Sequence, residues 1–240
     1  MTALSTRTPE GLYFQAAPGA KLFYRHWPSE GHQAIVLLHR GHEHSGRMQH
    51  IVDELDLPGF DMFAWDARGH GHSRDSDVTN PSFTDLVHDL DVFIRHIADT
   101  HGIPIENIAV IAQSVGSVLA ATWAHDYAPR IRALVLASPA FQVKLYVPLA
   151  RQALSLWHRI AGDFRVQSYV KASALTHDPE RIASYNADQL IQRPISAKVL
   201  LALYTTAERV IADAQAIRIP TQLLISGADF VVHHKPQHQF

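Results

Sequence analysis

The 240-residue chain contains no cysteine. Disulfides, thiolate nucleophiles, cysteine-bound zinc and iron–sulfur clusters are therefore excluded together. An excess of either charge is also missing: 21 Lys and Arg stand against 23 Asp and Glu, a formal net charge of -2. With no global basic field to hold a polyanion, the composition argues against a nucleic-acid partner. No stretch approaches the roughly 20 consecutive apolar residues of a membrane-spanning helix. The N-terminal MTALSTRTPEG lacks the charged-then-apolar pattern of a secretion leader. These absences read as a soluble, cytoplasmic protein. What is plentiful is apolar residues, at 47% enough for a sizeable core, and histidine, of which there are 17.

Short apolar runs without alternation recur at 34–38, 60–65, 108–112, 133–137 and 221–225, the signature of strands buried on both faces of a parallel sheet. Ahead of them, segments 11–15 and 20–27 flank Pro18-Gly19 and read as a hairpin. The clearest helix spans 82–101. Phe83, Leu86, Val87, Leu90, Phe93, Ile94 and Ile97 recur at three- and four-residue steps, and Asp85, Asp89, Asp91 and Arg95 fall on its outer surface. Ser82 or Asn80 caps its start, and Gly102 with Pro104 ends it. Alternating strands and helices predict an α/β fold with a parallel sheet and right-handed crossovers.

The rhythm breaks over 141–207, which is helical in pattern and holds no convincing strand. It reads as an insertion over one end of the sheet, between an N-terminal part of the core at 1–140 and a C-terminal part at 208–240. Val143, Val147, Ala150, Leu154 and Trp157 share one helical face, with Pro148 kinking that helix or confining it to the part after Tyr146.

The run 108–112 leads directly into Gln113-Ser114-Val115-Gly116-Ser117, and 118–124 reads as a helix. A strand-to-helix turn is the setting of a nucleophile elbow. There the serine sits on a strained backbone, and the positions two before and two after it must be small. Ala112 and Gly116 meet that demand, the methyl of Ala112 replacing the more usual glycine. The competing interpretation is a serine that only caps a helix. A serine hydroxyl is a weak nucleophile, and the oxyanion formed in acyl transfer needs preorganised N–H donors. One such donor is the amide following the serine, here Val115.

Two further segments carry a family likeness: Glu43-His44-Ser45-Gly46-Arg47 after the strand 34–38, and Asp66-Ala67-Arg68-Gly69-His70-Gly71-His72-Ser73 after the strand 60–65. Together with the turn at Ser114 and the phrase Leu175-Thr176-His177-Asp178-Pro179-Glu180, they occur in the order found in one family. The sequence resembles the α/β-hydrolases of the monoacylglycerol lipase and lysophospholipase group, sometimes classed with serine aminopeptidases. The likeness implies an α/β-hydrolase fold, with a mostly parallel central sheet, helices on both faces and an inserted helical cap. It also implies a cofactor-free serine ester hydrolase that forms an acyl-enzyme with lipid-like esters and makes peripheral contact with membranes. By position in the family's HGxxEHSGR loop, Gly41 supplies the second oxyanion N–H. The usual HG dipeptide is here His39-Arg40.

The acid of the triad follows the run 221–225. Ser…Asp…His is the chain order of this fold, and Asp229 at the end of that strand is the leading candidate, whereas Asp188 and Asp213 read as solvated turn residues. The base is the difficulty. In this fold the histidine follows a further helix and strand, and a crossover takes a dozen or more residues, but only eleven follow Asp229. His233, His234 and His238 are too near in sequence to serve. The expectation is a catalytic histidine beyond residue 240, a C-terminal end of the fold that is incomplete in this span, and weak or no activity of the span alone. The strand at 221–225 would then present an open edge, covered by an additional C-terminal domain or by a second copy in a homodimer.

Rival interpretations remain. His39, His42, His44, His70 and His72 lie on two loops at one end of the sheet, which raises a metal-dependent hydrolase, although their spacing matches no zinc-protease motif. A scaffold without a complete triad would be a non-catalytic binding module. Peptidase or thioesterase activity is open on the same scaffold. Phe141, Leu145, Tyr146, Leu154, Leu156, Trp157 and Ile160 are the apolar candidates for an acyl pocket, and Lys144, Arg151, Arg159 and Arg165 the cationic candidates for an anionic headgroup.

Overall fold

The apolar runs become the strands of one sheet in the computed structural model, which describes residues 6–74, 81–147 and 149–240. The first residues of the N-terminal segment, Asn80 and Pro148 lie outside the described residues. A hairpin, β1 (Glu10–Ala17) and β2 (Ala20–Trp27), opens the chain. It is followed by β3 (Gln33–Leu38), α1 (Gln49–Leu55), β4 (Phe60–Trp65), α2 (Phe83–His101), β5 (Ile108–Gln113), α3 (Val115–Tyr127) and β6 (Ala133–Ala137). After β6 follow α4 (Ala150–Ala161), β7 (Arg165–Gln167), α5 (Pro179–Ala187) and β8 (Pro194–Ser196). Then come α6 (Ala197–Ala212), β9 (Thr221–Leu224) and α7 (His234–Gln239).

The central sheet has the order β1-β2-β4-β3-β5-β6-β9. Its last five strands are mutually parallel, and the hairpin joins antiparallel through β2 and β4. Strand β3 lies centrally, Val36 opposite Phe63 on one side and Val110 on the other. Its residues alternate between two cores: Ala34, Val36 and Leu38 pack with α2, α3 and α6, while Ile35 and Leu37 pack with Met48 and Val52 at α1. Burial on both faces therefore holds for β3 and β4. In β5 and β6 buried and half-buried residues alternate, and Thr221, Gln222 and Leu224 of β9 are exposed. The seven-residue α1 is too short to cover that second face beyond the sheet centre.

Helix α2 starts where its capping chemistry dictates. The Ser82 N–H donates to Asp85 and the Asp85 N–H to the Ser82 hydroxyl, and Gly102 ends the helix at φ 65. Asp89, expected on its outer surface, is instead fully buried: Arg68 reaches it with a two-pronged contact, Nε and Nη2 at 2.7 and 2.6 Å. A carboxylate can occupy a helix's buried stripe when a guanidinium comes to meet it.

Residues 141–207 depart from their sequence pattern in three respects. β7 and β8 form a separate two-stranded ribbon, Val166 opposite Ile195, with strands of three residues each, too short for a period-two pattern to register. Helix α4 begins only at Ala150, so Val143 and Val147 precede it, and Val143 instead bridges Val232. Helix α6 runs straight through residue 207, burying Leu200, Leu203, Tyr204 and Ala207 in the main core beside α3.

Candidate active site

Ser114 is held in a backbone conformation that few side chains adopt, φ 52 and ψ -112, at the turn between β5 and α3. The turn persists because its backbone is fully engaged. The Ser114 N–H donates to the Ala137 carbonyl at 2.9 Å, and its own carbonyl accepts from the amides of Ser117, Val118 and Ala140. Close approach explains the glycine two positions on. A Cβ at Gly116 would lie 2.6 Å from the His39 carbonyl oxygen, so only glycine lets α3 pass the end of β3. Ala112 is fully buried, and its carbonyl accepts the Ser117 hydroxyl. Among the described residues nothing hydrogen-bonds to the Ser114 hydroxyl, which opens into two cavities.

The larger cavity, about 740 Å³, lies between the loops that follow β3 and β5 and the segment from β6 to α6, and is lined mainly by apolar groups, among them Leu154, Trp157, Phe164, Tyr169 and Leu203. Of the apolar candidates read from the sequence, Leu145, Tyr146, Leu154 and Trp157 line it. Phe141 is buried in the core against Phe240, and Leu156 and Ile160 are exposed. The basic candidates are otherwise engaged or peripheral: Lys144 donates to the Asp229 carbonyl, Arg151 pairs with Glu208, and Arg159 and Arg165 are exposed.

The smaller cavity, about 350 Å³, brings Ser114 and Asp229 together with Ser138 and His177. Asp229 lies beyond β9. Its Oδ1 accepts the amides of Val231 and Val232 at 2.7 and 2.9 Å, which pins the carboxylate to its own turn. Its position follows from the sheet, since β9 pairs with β6 and the Ser138 amide donates to Leu224. His233 and His234 lie at the start of α7 and His238 near its end; among the described residues no histidine hydrogen-bonds to Ser114 or Asp229.

Gly41 faces the other oxyanion candidate. A Cβ on it would lie 3.3 Å from Val115 Cγ2. The loop carrying Gly41 is propped by histidines. His39 Nδ1–H donates to the Arg40 carbonyl and its Nε2 accepts the Ala67 amide, which assigns the tautomer. Asp66 ties this loop to the next, accepting from the amides of Ser45 and His72 at 2.6 and 2.8 Å. Arg40 pairs with the buried Glu43 at 2.9 Å. Burial holds His39 below the ordinary histidine value, and burial with a neighbouring imidazole pushes His42 and His70 down to about 4. These imidazoles are therefore neutral hydrogen-bonding struts near pH 7. Among the described residues no group of three or more His, Asp or Glu is arranged to hold a metal ion.

Asp188, like Asp89, lies elsewhere than its sequence pattern implies. It is partly buried, its Oδ2 2.9 Å from His44 Nε2 and 3.6 Å from Arg47 Nη1. Burial raises its pKa, but the hydrogen bonds from His44 and the Leu190 amide, with the nearby Arg47, outweigh that and hold it below the usual carboxylate range. Nothing local to Asp188 names a partner 144 residues away.

The family model described as serine aminopeptidase, S33, matches residues 29–240. The chain is 56% identical over 239 residues to the uncharacterized protein YnbC of Escherichia coli, a match that takes in 98% of this chain and 41% of that protein. The chain thus spans about two fifths of that relative's length. Over 232 residues it is 25% identical to a monoacylglycerol lipase of Mycolicibacterium smegmatis, covering 95% of this chain and 81% of the lipase. Among solved structures, a soluble variant of the monoglyceride lipase of Saccharomyces cerevisiae, in complex with a substrate analog, has a similar fold. Its TM-score is 0.80 at 20% identity, over 99% of this chain and 83% of that one.

Proposed function

The chain belongs to the serine aminopeptidase S33 family and has the α/β-hydrolase fold of the monoacylglycerol lipase group, and on that premise we propose that it hydrolyses lipid-like carboxylic esters through an acyl-enzyme on Ser114. One observation carries this proposal. The serine of a strained strand-to-helix turn stands where an apolar cavity of about 740 Å³ meets a smaller one that also holds Asp229.

In this mechanism the Ser114 hydroxyl attacks the ester carbonyl and passes its proton to a histidine base, which then protonates the departing alkoxide. Asp229 holds that imidazole in the productive tautomer; among the described residues no histidine hydrogen-bonds to either Ser114 or Asp229. The developing oxyanion is met by the N–H groups of Val115 and Gly41. The acyl chain lies in the apolar cavity beneath the cap, a unit we assign to the insertion that begins at residue 141, and the alcohol leaves through the smaller cavity. Water repeats the sequence in reverse to free the acid. The exposed Leu149, Leu156 and Ile160 on the cap support peripheral contact with a lipid surface from which such substrates are drawn. The exposed strand β9 at the end of the sheet supports pairing with further chain or with a second copy.

The test uses the full-length protein with a monoacylglycerol, a matched thioester and a matched peptide amide. Ester turnover and fluorophosphonate labelling are expected, both lost in Ser114→Ala, with turnover down by a factor on the order of 10⁴ or more. Faster turnover of the amide or thioester would move the activity to peptidase or thioesterase. Binding of the ester without turnover by any of the three would make the chain a binding module.

A further inference from the structure

The loop that carries Gly41 is gripped by the insertion. His44, with only 5% of its side chain exposed, has Nε2 2.9 Å from Asp188 Oδ2, and its Nδ1 accepts the Gly46 amide. The acceptor role of Nδ1 leaves the proton on Nε2, where it is donated to the carboxylate. Arg47 reaches the same carboxylate at 3.6 Å and donates to the Ser184 hydroxyl at 2.8 Å, its guanidinium over the Tyr185 ring. The other oxygen of Asp188 accepts the Leu190 amide, so its own turn holds the side chain in place. Four residues on, the Gln192 amide donates to the carbonyl of His42, the neighbour of Gly41. His42 sits at φ 72, a left-handed conformation that a non-glycine residue keeps only where its surroundings impose it.

We propose that Asp188 is a positioning residue that locks the loop carrying Gly41 to the seated insertion, so that the oxyanion donors are in register only while the cap is closed on the core. The proposal rests on the reading of Ser114 as nucleophile and Gly41 as oxyanion donor. Its physical basis is that an oxyanion hole works by preorganisation: a donor displaced by 1 Å stabilises the transition state far less, while the ground-state ester is bound elsewhere, by the apolar cavity. Loss of the lock therefore lowers kcat and leaves KM nearly unchanged. Truncation of an apolar cavity residue does the opposite.

Full-length Asp188→Ala, Asp188→Asn and His44→Ala are compared with the parent protein in two measurements. The first is native-state amide exchange followed by mass spectrometry. Segment 39–47 is expected to exchange at least tenfold faster in Asp188→Ala, with α2 unchanged. The second is hydrolysis of a short soluble ester, with kcat expected to fall about 10- to 100-fold, KM staying within about twofold. Asp188→Asn, which keeps an acceptor for His44, should recover most of the rate, and the Asp188→Ala and His44→Ala losses should not add. Exchange that quickens over the whole chain while kcat stays at the parent value would mark Asp188 as merely structural and overturn the proposal. Unchanged exchange in 39–47 overturns it whether or not the ester is hydrolysed. Hydrolysis that survives Ser114→Ala defeats the reading of Ser114 as nucleophile, an outcome separate from either of these.

Discussion

Helices α2 and α4 carry the same kind of sequence signal and meet opposite environments. Both present an apolar stripe at helical spacing. Helix α2 buries Phe83, Leu86, Val87, Leu90, Phe93, Ile94 and Ile97 against the sheet and α3, whereas α4 buries none of its residues, and Leu156, Trp157 and Ile160 are more than half exposed. Their starts differ too. Ser82 and Asp85 close a capping box at α2, but the residue that precedes α4 is Leu149, left-handed at φ 58 and without a side-chain cap. A stripe of apolar residues thus reports that a helix has a face to cover, not what covers it. On α2 the cover is a close-packed core; on α4 it is helix α6 and a cavity wide enough for a ligand on one side, and solvent on the other.

The contrast can be broken most sharply at Phe93, which is fully buried and stacked on Phe14 and Trp65. Phe93→Ala should cost about 3–5 kcal/mol in urea unfolding; a loss under about 1 kcal/mol would erase the distinction between the two helices. Acid gives the next largest effect. The folded pKa of His70 is about 4 and that of the unfolded chain about 6.5, so between those values the unfolded state binds more protons. Stability is therefore complete above about pH 6.5, falls as the pH drops, and levels off below about 4, by on the order of 1–3 kcal/mol for this group. Unfolding measured at pH 7, 5 and 4 should show that slope, and His70→Asn should remove the share of it due to His70, leaving the part that His42 and His101, also held at about 4, contribute.

Of similar size is Gly116→Ala. Its new methyl meets the His39 carbonyl, so a stability loss of about 1–3 kcal/mol should accompany slower fluorophosphonate labelling of Ser114. Labelling at the parent rate would show that the turn tolerates the side chain. Smallest is Trp157→Ala on α4, whose stability should change by less than about 0.5 kcal/mol. The same variant should bind a long-chain fluorescent fatty acid several-fold more weakly, because Trp157 lines the apolar cavity. Unaltered binding would move the acyl chain out of that cavity.

Much of the sheet was legible because its signals are local. The runs 60–65 and 133–137 become β4 and β6 residue for residue, and the Gly102 stop of α2 falls where the pattern puts it. The setting of Ser114 was legible for the same reason: a strand, a turn flanked by small residues and a helix all lie within a few positions of it. Arg68 and Asp89 were not, because a buried ion pair looks in sequence like two charges on two surfaces. Nor were β7 and β8, whose three-residue strands carry too few positions for alternation to register.

By itself the sequence determined the elements whose conformations depend on neighbours within about one turn: the capping box of α2, the glycine at 116, the apolar strands and the left-handed serine between β5 and α3. Only the tertiary structure decided which of those surfaces meet. It brought Ser114 and Asp229 to one cavity through the pairing of β6 with β9, and it set Asp188 against His44 and Arg47 across 144 residues of chain. The reason is physical. Backbone conformation is chosen by short-range sterics and hydrogen bonds that each residue carries with it, whereas a contact between distant side chains exists only once the sheet and its crossovers have placed both partners.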